Sequence, residues 1–338
     1  MKTVNLGVIG YGYWGPNLVR NFFAANDCTV KAVADGRPER LAVLAKVFPS
    51  VKGVKDADDI INDTSIDAVV IATSVFSHFP LAKKALNAGK HVLIEKPMTA
   101  SVAEADELIE LAASKGLTLM VDHTFLYTGA VAKMKELIDN KEIGTPRYFD
   151  SSRINLGLFQ PDVNVIWDLA PHDLSILTYL VDQKPASINA TGISHTKNNI
   201  ENIAYMTVNY DSDFIAHFNV SWTSPVKVRQ TLIGGDLKMI VYNDLEPSEK
   251  IRVYDTGYDH KKVEEYENKI MVDYRTGDVY LPKLGTQEAL LGVANDFVQS
   301  IINKKEPKAN AHLGRQVVRI LEASQVSIKN NGKEVCIR

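Results

Sequence analysis

Lys96, Asp168 and His172 are the side chains whose types and settings best suit moving a proton to or from a hydroxyl group. Lys96 lies in Glu95-Lys96-Pro97, directly after the apolar run His91 to Ile94. In an open α/β sheet ligands bind beyond the carboxyl ends of the strands, so an amine there projects toward a substrate and can hydrogen-bond its oxygen. A free lysine titrates near ~10.4, and desolvation or a neighbouring cation lowers that value toward a useful range. The same three residues also read as a surface Glu-Lys pair ahead of a helix-breaking proline. Asp168-Leu169-Ala170-Pro171-His172-Asp173 opens a helical pattern that ends near Leu180. Proline is tolerated in the first turn of a helix, so Pro171 predicts Asp168 as the N-cap or a first-turn residue, with His172 one turn later on the same face. The positive end of the helix dipole disfavours imidazolium and keeps a neutral base available near pH 7. In the plainer alternative, Asp168 only caps the helix and His172 packs beneath it.

The elements that must position these groups begin at the amino terminus. Gly10-Tyr11-Gly12-Tyr13-Trp14-Gly15 follows the apolar run Val4 to Ile9 and precedes a helical pattern, and Asp35 closes the next apolar run, Val30 to Ala34. The first glycine permits a tight turn, the second lets backbone approach a pyrophosphate, and the third lets helix pack on strand. Phosphate then rests on unpaired helix N–H groups. Together these features predict a dinucleotide site. A carboxylate at Asp35 accepts hydrogen bonds from a ribose 2′-hydroxyl and repels a 2′-phosphate, which favours NAD over NADP. Arg37 complicates that choice by offering a cation to a phosphate, although Arg37-Pro38-Glu39 also reads as a helix start.

Composition sets the frame. At 338 residues with 45% hydrophobic content, two domains with separate cores are expected. A net charge of −3 without a basic tract argues against nucleic acid as partner. No apolar run approaches the ~20 residues that span a bilayer, so no membrane partner is expected. The two cysteines, Cys28 and Cys336, match no metal spacing, and no leader precedes the first strand; a reducing cytoplasm and no metal are the expectation.

Residues 1–124 alternate apolar runs with helical patterns, with strands at Val4–Ile9, Val30–Ala34, Ala68–Thr73, His91–Ile94 and Leu117–Val121 and a weaker one near Val51. That grammar builds a doubly wound parallel sheet. Ser101-Val102-Ala103-Glu104 is a capping box ahead of an apolar stripe of Val102, Ala105, Leu108, Ile109 and Ala112. Residues 125–338 form the second domain. One helix, Ala130 to Asp139, leads to the extended run Arg147–Ile154. Phe214, Ala216, Phe218, Val220 and Trp222 then alternate with more polar residues, as do Ala204, Met206, Val208 and Tyr210 across the turn Asp211-Ser212-Asp213. Further strands are expected around Ser187–Gly192, Lys227–Ile233 and Leu237–Val241, with closing helices over Gln287–Ile302 and Leu313–Lys329. The fold class is α/β, a Rossmann sheet followed by an α+β domain with a large open, mainly antiparallel sheet.

These residues resemble the Gfo/Idh/MocA oxidoreductases over nearly the whole chain. The likeness rests on the glycine turn, Ile71-Ala72-Thr73 followed by His78 and Pro80, Ala88-Gly89-Lys90-His91-Val92 running into Glu95-Lys96-Pro97, and Asp168 four residues before His172. It implies an NAD-dependent enzyme with Lys96, Asp168 and His172 as catalytic residues. It further implies cofactor roles for Gly10, Gly12, Tyr13, Trp14, Gly15, Asp35, Arg40, Thr73, Ser74, Glu95 and Lys96. His78 reads equally as a cofactor contact or a loop anchor. Where many relatives carry a double glycine before the aspartate and a glycine before the histidine, this chain has Val163-Asn164-Val165-Ile166-Trp167 and Ala170-Pro171.

The run Asp162 to Asp173, with Tyr274–Asp278 and Leu281–Leu284, is similar to the branch that oxidises C3 of UDP-N-acetyl sugars for surface polysaccharides. A nucleotide sugar needs cations for its diphosphate, and Arg153, Lys227, Arg229, Arg275 and Lys283 are available, although exposed basic residues are ordinarily solvated surface. Tyr127, Arg153 and Asn155 are the further substrate-side residues, beside Lys96, Asp168 and His172. A free polyol or sugar dehydrogenase, a keto-deoxysugar nucleotide reductase and a non-catalytic NAD sensor remain open alternatives. The resemblance also suggests a homodimer or homotetramer.

Overall fold

The computed structural model describes residues 3–261 and 271–337 and resolves them into two compact units. The first runs to Thr128 and resumes over Gln287–Glu322; the second comprises Gly129–Thr286 and Ala323 onward. Placing everything beyond residue 124 in one second domain is thereby corrected. Periodicity marks the two C-terminal helices as amphipathic but does not say which core their apolar faces cover.

In the first unit the order is β1 (Val4–Ile9), α1 (Gly15–Ala24), β2 (Cys28–Ala34), α2 (Pro38–Val47), β3 (Lys52–Val54), α3 (Asp58–Ile61), β4 (Ala68–Ile71), α4 (Val75–Asn87), β5 (His91–Glu95), α5 (Val102–Lys115) and β6 (Leu119–Asp122), closed by a 3-10 turn over Thr124–Tyr127. All strand pairs are parallel, in the order β3-β2-β1-β4-β5-β6. This is the doubly wound arrangement, whose order reverses between β1 and β4 and opens a crevice at the strand ends. The central strands are continuous apolar runs because helices cover both faces; every residue of β4 is buried. Ser101 caps α5 by accepting from the Glu104 N–H at 3.3 Å, and Gly116 ends it in the left-handed region at φ +64°.

The second unit contributes α6 (Gly129–Asp139), β7 (Pro146–Leu156), α7 (Val165–Leu180), β8 (Pro185–Ile193), β9 (Ile203–Tyr210), β10 (Ile215–Ser221), β11 (Thr223–Gly235), β12 (Met239–Asn243), β13 (Ile251–Lys261) and β14 (Met271–Tyr280). Two further helices follow, α8 (Ala289–Asn303) in the first unit and α9 (Ala311–Lys329), whose residues through Glu322 belong to the first unit and the rest to the second, and the chain closes on β15 (Val335–Cys336). Within the first unit Phe297 of α8 meets Phe22 of α1 edge-on, ring centroids 6.2 Å apart. The nine strands of the second unit run β14-β13-β12-β11-β7-β10-β9-β8-β15, antiparallel except for the pair β7 and β10. Ala204, Met206 and Val208 share a buried face with Ala216, Phe218 and Val220, and Phe149 and Phe218 stack at 5.6 Å. Among the described residues, no helix is long and apolar enough to cross a membrane.

Candidate active site

The glycine turn in the first unit meets each steric demand its spacing implies. Gly10 adopts φ +100°, and a Cβ there would stand 2.4 Å from the Ala72 carbonyl oxygen. A Cβ on Gly15 would lie 2.4 Å from the Gly10 carbonyl oxygen, so only glycine lets α1 approach β1 this closely. At Gly12 the nearest atom to an added Cβ is Arg37 Nη2 at 3.4 Å, which leaves backbone open to a ligand. No side chain caps α1, so its first N–H groups are available to a phosphate. The cradle therefore fits a dinucleotide. Tyr13 and Trp14 are exposed on the turn, and Trp14 Nε1 donates to Asp122 Oδ2 at 3.4 Å, tying the turn to the end of β6.

Asp35 ends up buried at the tip of β2. Its Oδ2 accepts from the Tyr11 N–H at 2.8 Å, and Arg37 grips both oxygens through Nε and Nη2, each at 2.9 Å. The guanidinium bonds, helped by backbone N–H groups, hold the Asp35 carboxyl down to about 2. Arg37 is thus paired with the acid it flanks. Arg40 sits in the first turn of α2.

Thr73 and Ser74 close the β4–α4 junction, where Thr73 Oγ1 accepts from Ser77 Oγ at 2.7 Å and Ser74 stands at the N-cap of α4. The loop position expected for His78 is corrected: His78 lies within α4, buried, with Nδ1 at 2.9 Å from the Pro97 carbonyl and Nε2 at 3.1 Å from the Thr73 carbonyl. Burial pushes its imidazole down, and both nitrogens face backbone, which ties α4 to the loop that carries Lys96. Pro97 itself is joined to Lys96 by a cis peptide bond.

Lys96, half-buried, follows the last residue of β5. Beside it Glu95 and Asp122 are register partners on β5 and β6, and both carboxyls are buried. The sequence reading missed Asp122, which no motif marks. His123, directly after it, is fully enclosed, and burial with the nearby Lys96 charge pushes its imidazole down to about 3. Tyr127, expected on the substrate side, donates its hydroxyl to Asp296 Oδ2 at 2.6 Å and accepts from the Ala309 N–H at 3.2 Å, which pins the 3-10 turn to α8.

In the second unit Asp168 and His172 share one half-buried face of α7. Asn164, not Asp168, is the N-cap, accepting from the Trp167 N–H at 3.2 Å; Asp168 falls in the first turn and Pro171 in the second. Of the two positions expected for Asp168, N-cap or first turn, the helix takes the second. Trp222 Nε1 donates to Asp168 Oδ2 at 3.0 Å from a fully buried indole. This support was invisible in sequence, 54 residues from its partner.

Arg153, expected at the substrate, is paired within the second unit. Its Nε and Nη2 reach Asp173 Oδ2 and Oδ1 at 2.8 and 2.7 Å, and both side chains are 4% exposed. The guanidinium of β7 therefore fastens α7, one residue from His172. Asn155, two residues along β7, lies on the same face of the strand and is half-buried. Of the other proposed diphosphate cations, Arg229 pairs with Asp244 at 3.2 Å and Arg275 with Asp255, while Lys227 and Lys283 are exposed. Of the segment Tyr274–Asp278, the Tyr274 side chain lies outside the described residues.

Comparison with known proteins matches residues 4–123 to an oxidoreductase family with an NAD-binding Rossmann fold and residues 131–241 to a GFO/IDH/MocA C-terminal domain. A UDP-N-acetylglucosamine 3-dehydrogenase of Acidithiobacillus ferrooxidans is 32% identical over 62% of this chain and 64% of its own length. Its solved structure superposes with a TM-score of 0.80 at 24% identity over 98% of this chain and all of that one. A myo-inositol 2-dehydrogenase of Thermotoga maritima is 26% identical over 56% of this chain and 58% of its own. An Agrobacterium radiobacter oxidoreductase solved with NAD+, L-tartaric acid and magnesium has TM-score 0.82 at 19% identity over 99% of this chain and 98% of that one. The sequence matches to these curated relatives thus span less than two thirds of the relatives' length.

Proposed function

The chain belongs to the Gfo/Idh/MocA oxidoreductase family and carries its NAD-binding Rossmann fold, and from that premise we propose that it is an NAD-dependent dehydrogenase acting on a ring hydroxyl of a sugar. The observation that carries this reading is the glycine cradle, with φ +100° at Gly10, in one chain with the Asp168 and His172 pair on α7. The cradle, Asp35 and the N-terminus of α1 would hold the dinucleotide, and the bound nicotinamide supplies the two-electron chemistry. His172 removes the hydroxyl proton, Asp168 balances and orients its imidazole, and Lys96 hydrogen-bonds the same oxygen. Trp222 fixes the Asp168 carboxylate while that proton moves.

The finer substrate is a UDP-N-acetyl sugar oxidised at C3. Support comes from the similarity to the Acidithiobacillus enzyme. With Arg153, Arg229 and Arg275 taken up by acids, Lys227 and Lys283 are the basic residues proposed to meet the diphosphate. A second reading, a free polyol as substrate, draws on the similarity to the inositol dehydrogenase and needs no diphosphate site. Mixing the protein with NAD+ and following reduced-cofactor absorbance with UDP-N-acetylglucosamine, its uronic acid, myo-inositol and glucose separates them. Turnover restricted to UDP-sugars supports the first; turnover restricted to myo-inositol or glucose replaces it with the second. The proposal extends to a homo-oligomeric assembly, checked by light scattering.

A further inference from the structure

Four carboxyl oxygens meet at the ends of β5 and β6, and the donors around them number one too few. Asp122 Oδ1 accepts from Thr124 Oγ1 at 2.6 Å, and Asp122 Oδ2 from Trp14 Nε1 at 3.4 Å. Glu95 Oε2 accepts from the Lys96 backbone N–H at 3.1 Å. Glu95 Oε1 is buried and has no donor. Glu95 and Asp122 face one another as register partners, at 9% and 2% exposure, and their carboxyls come within hydrogen-bonding reach. Two ionised carboxylates in contact away from water repel, and an unsatisfied buried oxygen adds its own desolvation penalty. A single proton on Glu95, donated to Asp122, removes both problems.

We infer that Glu95 and Asp122 share one proton and so present one negative charge, not two, to the Lys96 amine. Burial and the Asp122 charge both push the Glu95 carboxyl up, in the same sense. The other groups facing the pair are Trp14 from the glycine turn and Thr124 after β6, neither charged near neutrality; the neighbouring His78 and His123 imidazoles are both pushed down by burial. Lys96 is the cation of the cluster, and its charge acts on both carboxyls. The proton count of the pair therefore sets the negative charge that Lys96 meets, one unit rather than two. Glu95 and Asp122 are positioning residues in this scheme, acting on the reaction through Lys96, and the inference rests on the catalytic role proposed for Lys96.

Two measurements on the ligand-free protein test it without reference to turnover. Infrared difference spectroscopy at neutral pH should show a buried carboxylic-acid C=O band that Glu95→Gln abolishes. Trace acylation of Lys96 followed by mass spectrometry should give the same pH profile in Glu95→Gln as in the wild type, because the pair carries one negative charge in both, whereas a pair of two anions would lose one and move the profile to lower pH by about 1–3 units. Absence of the band in the wild type, its persistence in Glu95→Gln, or a Lys96 profile moved to lower pH in Glu95→Gln would overturn the shared proton. The infrared arm requires only the wild-type protein, so a variant that fails to fold leaves it decisive. If the band behaves as expected and Lys96→Met still turns over sugar normally, the pair stands and the catalytic reading of Lys96 fails.

Discussion

In the first unit the glycine turn, Asp35 and Lys96 all occupy the carboxyl ends of parallel strands, whereas in the second Asp168 and His172 ride on a single helix held by residues far away in the chain. The first arrangement is built by local geometry: a turn that only glycine can make, and strands that end where their apolar runs end. The second depends on tertiary support, from Trp222 on Asp168 and from Arg153 on Asp173. The difference teaches that a binding site made from backbone and strand ends announces itself in spacing, while a site made from a helix face draws its rigidity from elsewhere in the fold.

Substitutions can break or sharpen that contrast. The largest effect is expected from His172→Ala, which should lower turnover by about 10²–10⁴-fold while NAD binding, followed by fluorescence titration, stays close to wild type, because the cradle is in the other unit. Loss of NAD affinity of the same size would erase the division of labour. Next, Arg153→Met leaves Asp173 buried without its partner and should cost about 3–5 kcal/mol in denaturant unfolding. Pairing it with Asp173→Leu should recover much of that loss. A raised KM with unchanged stability would instead return Arg153 to the substrate.

A smaller change is expected from Trp222→Phe, which keeps an aromatic side chain but removes the donor to Asp168 Oδ2 and leaves space beside the smaller ring. Stability should fall by about 1–3 kcal/mol, and turnover should fall with little change in NAD affinity. The smallest effect belongs to Asp35, because half-exposed Arg37 is screened by water. Its folded-state carboxyl, held to about 2, lies below the unfolded value, so its contribution is complete above the ordinary carboxylate range and is lost as pH falls toward 2. Asp35→Asn should flatten the stability profile in that acid window and nowhere else, as read by unfolding midpoints against pH.

From sequence alone, the order of strands through Asp122, the glycine cradle, the acid at the end of β2 and the i, i+4 relation of Asp168 and His172 were all determined, because each follows from residue type at short spacing. The long strands β13 and β14 escaped notice, lying in a polar stretch with little alternation to mark a buried face. Tertiary structure alone decided that α8 returns to the first core, that Asn164 caps α7, and that the Pro97 carbonyl, Asp296 and Asp173 are the partners of His78, Tyr127 and Arg153. It alone brought Asp122 against Glu95. The physical reason is common to these cases. A polar side chain is committed by whichever partner reaches it first in the folded interior, and those partners lie 19 residues from His78, 20 from Arg153 and 169 from Tyr127, beyond any local pattern.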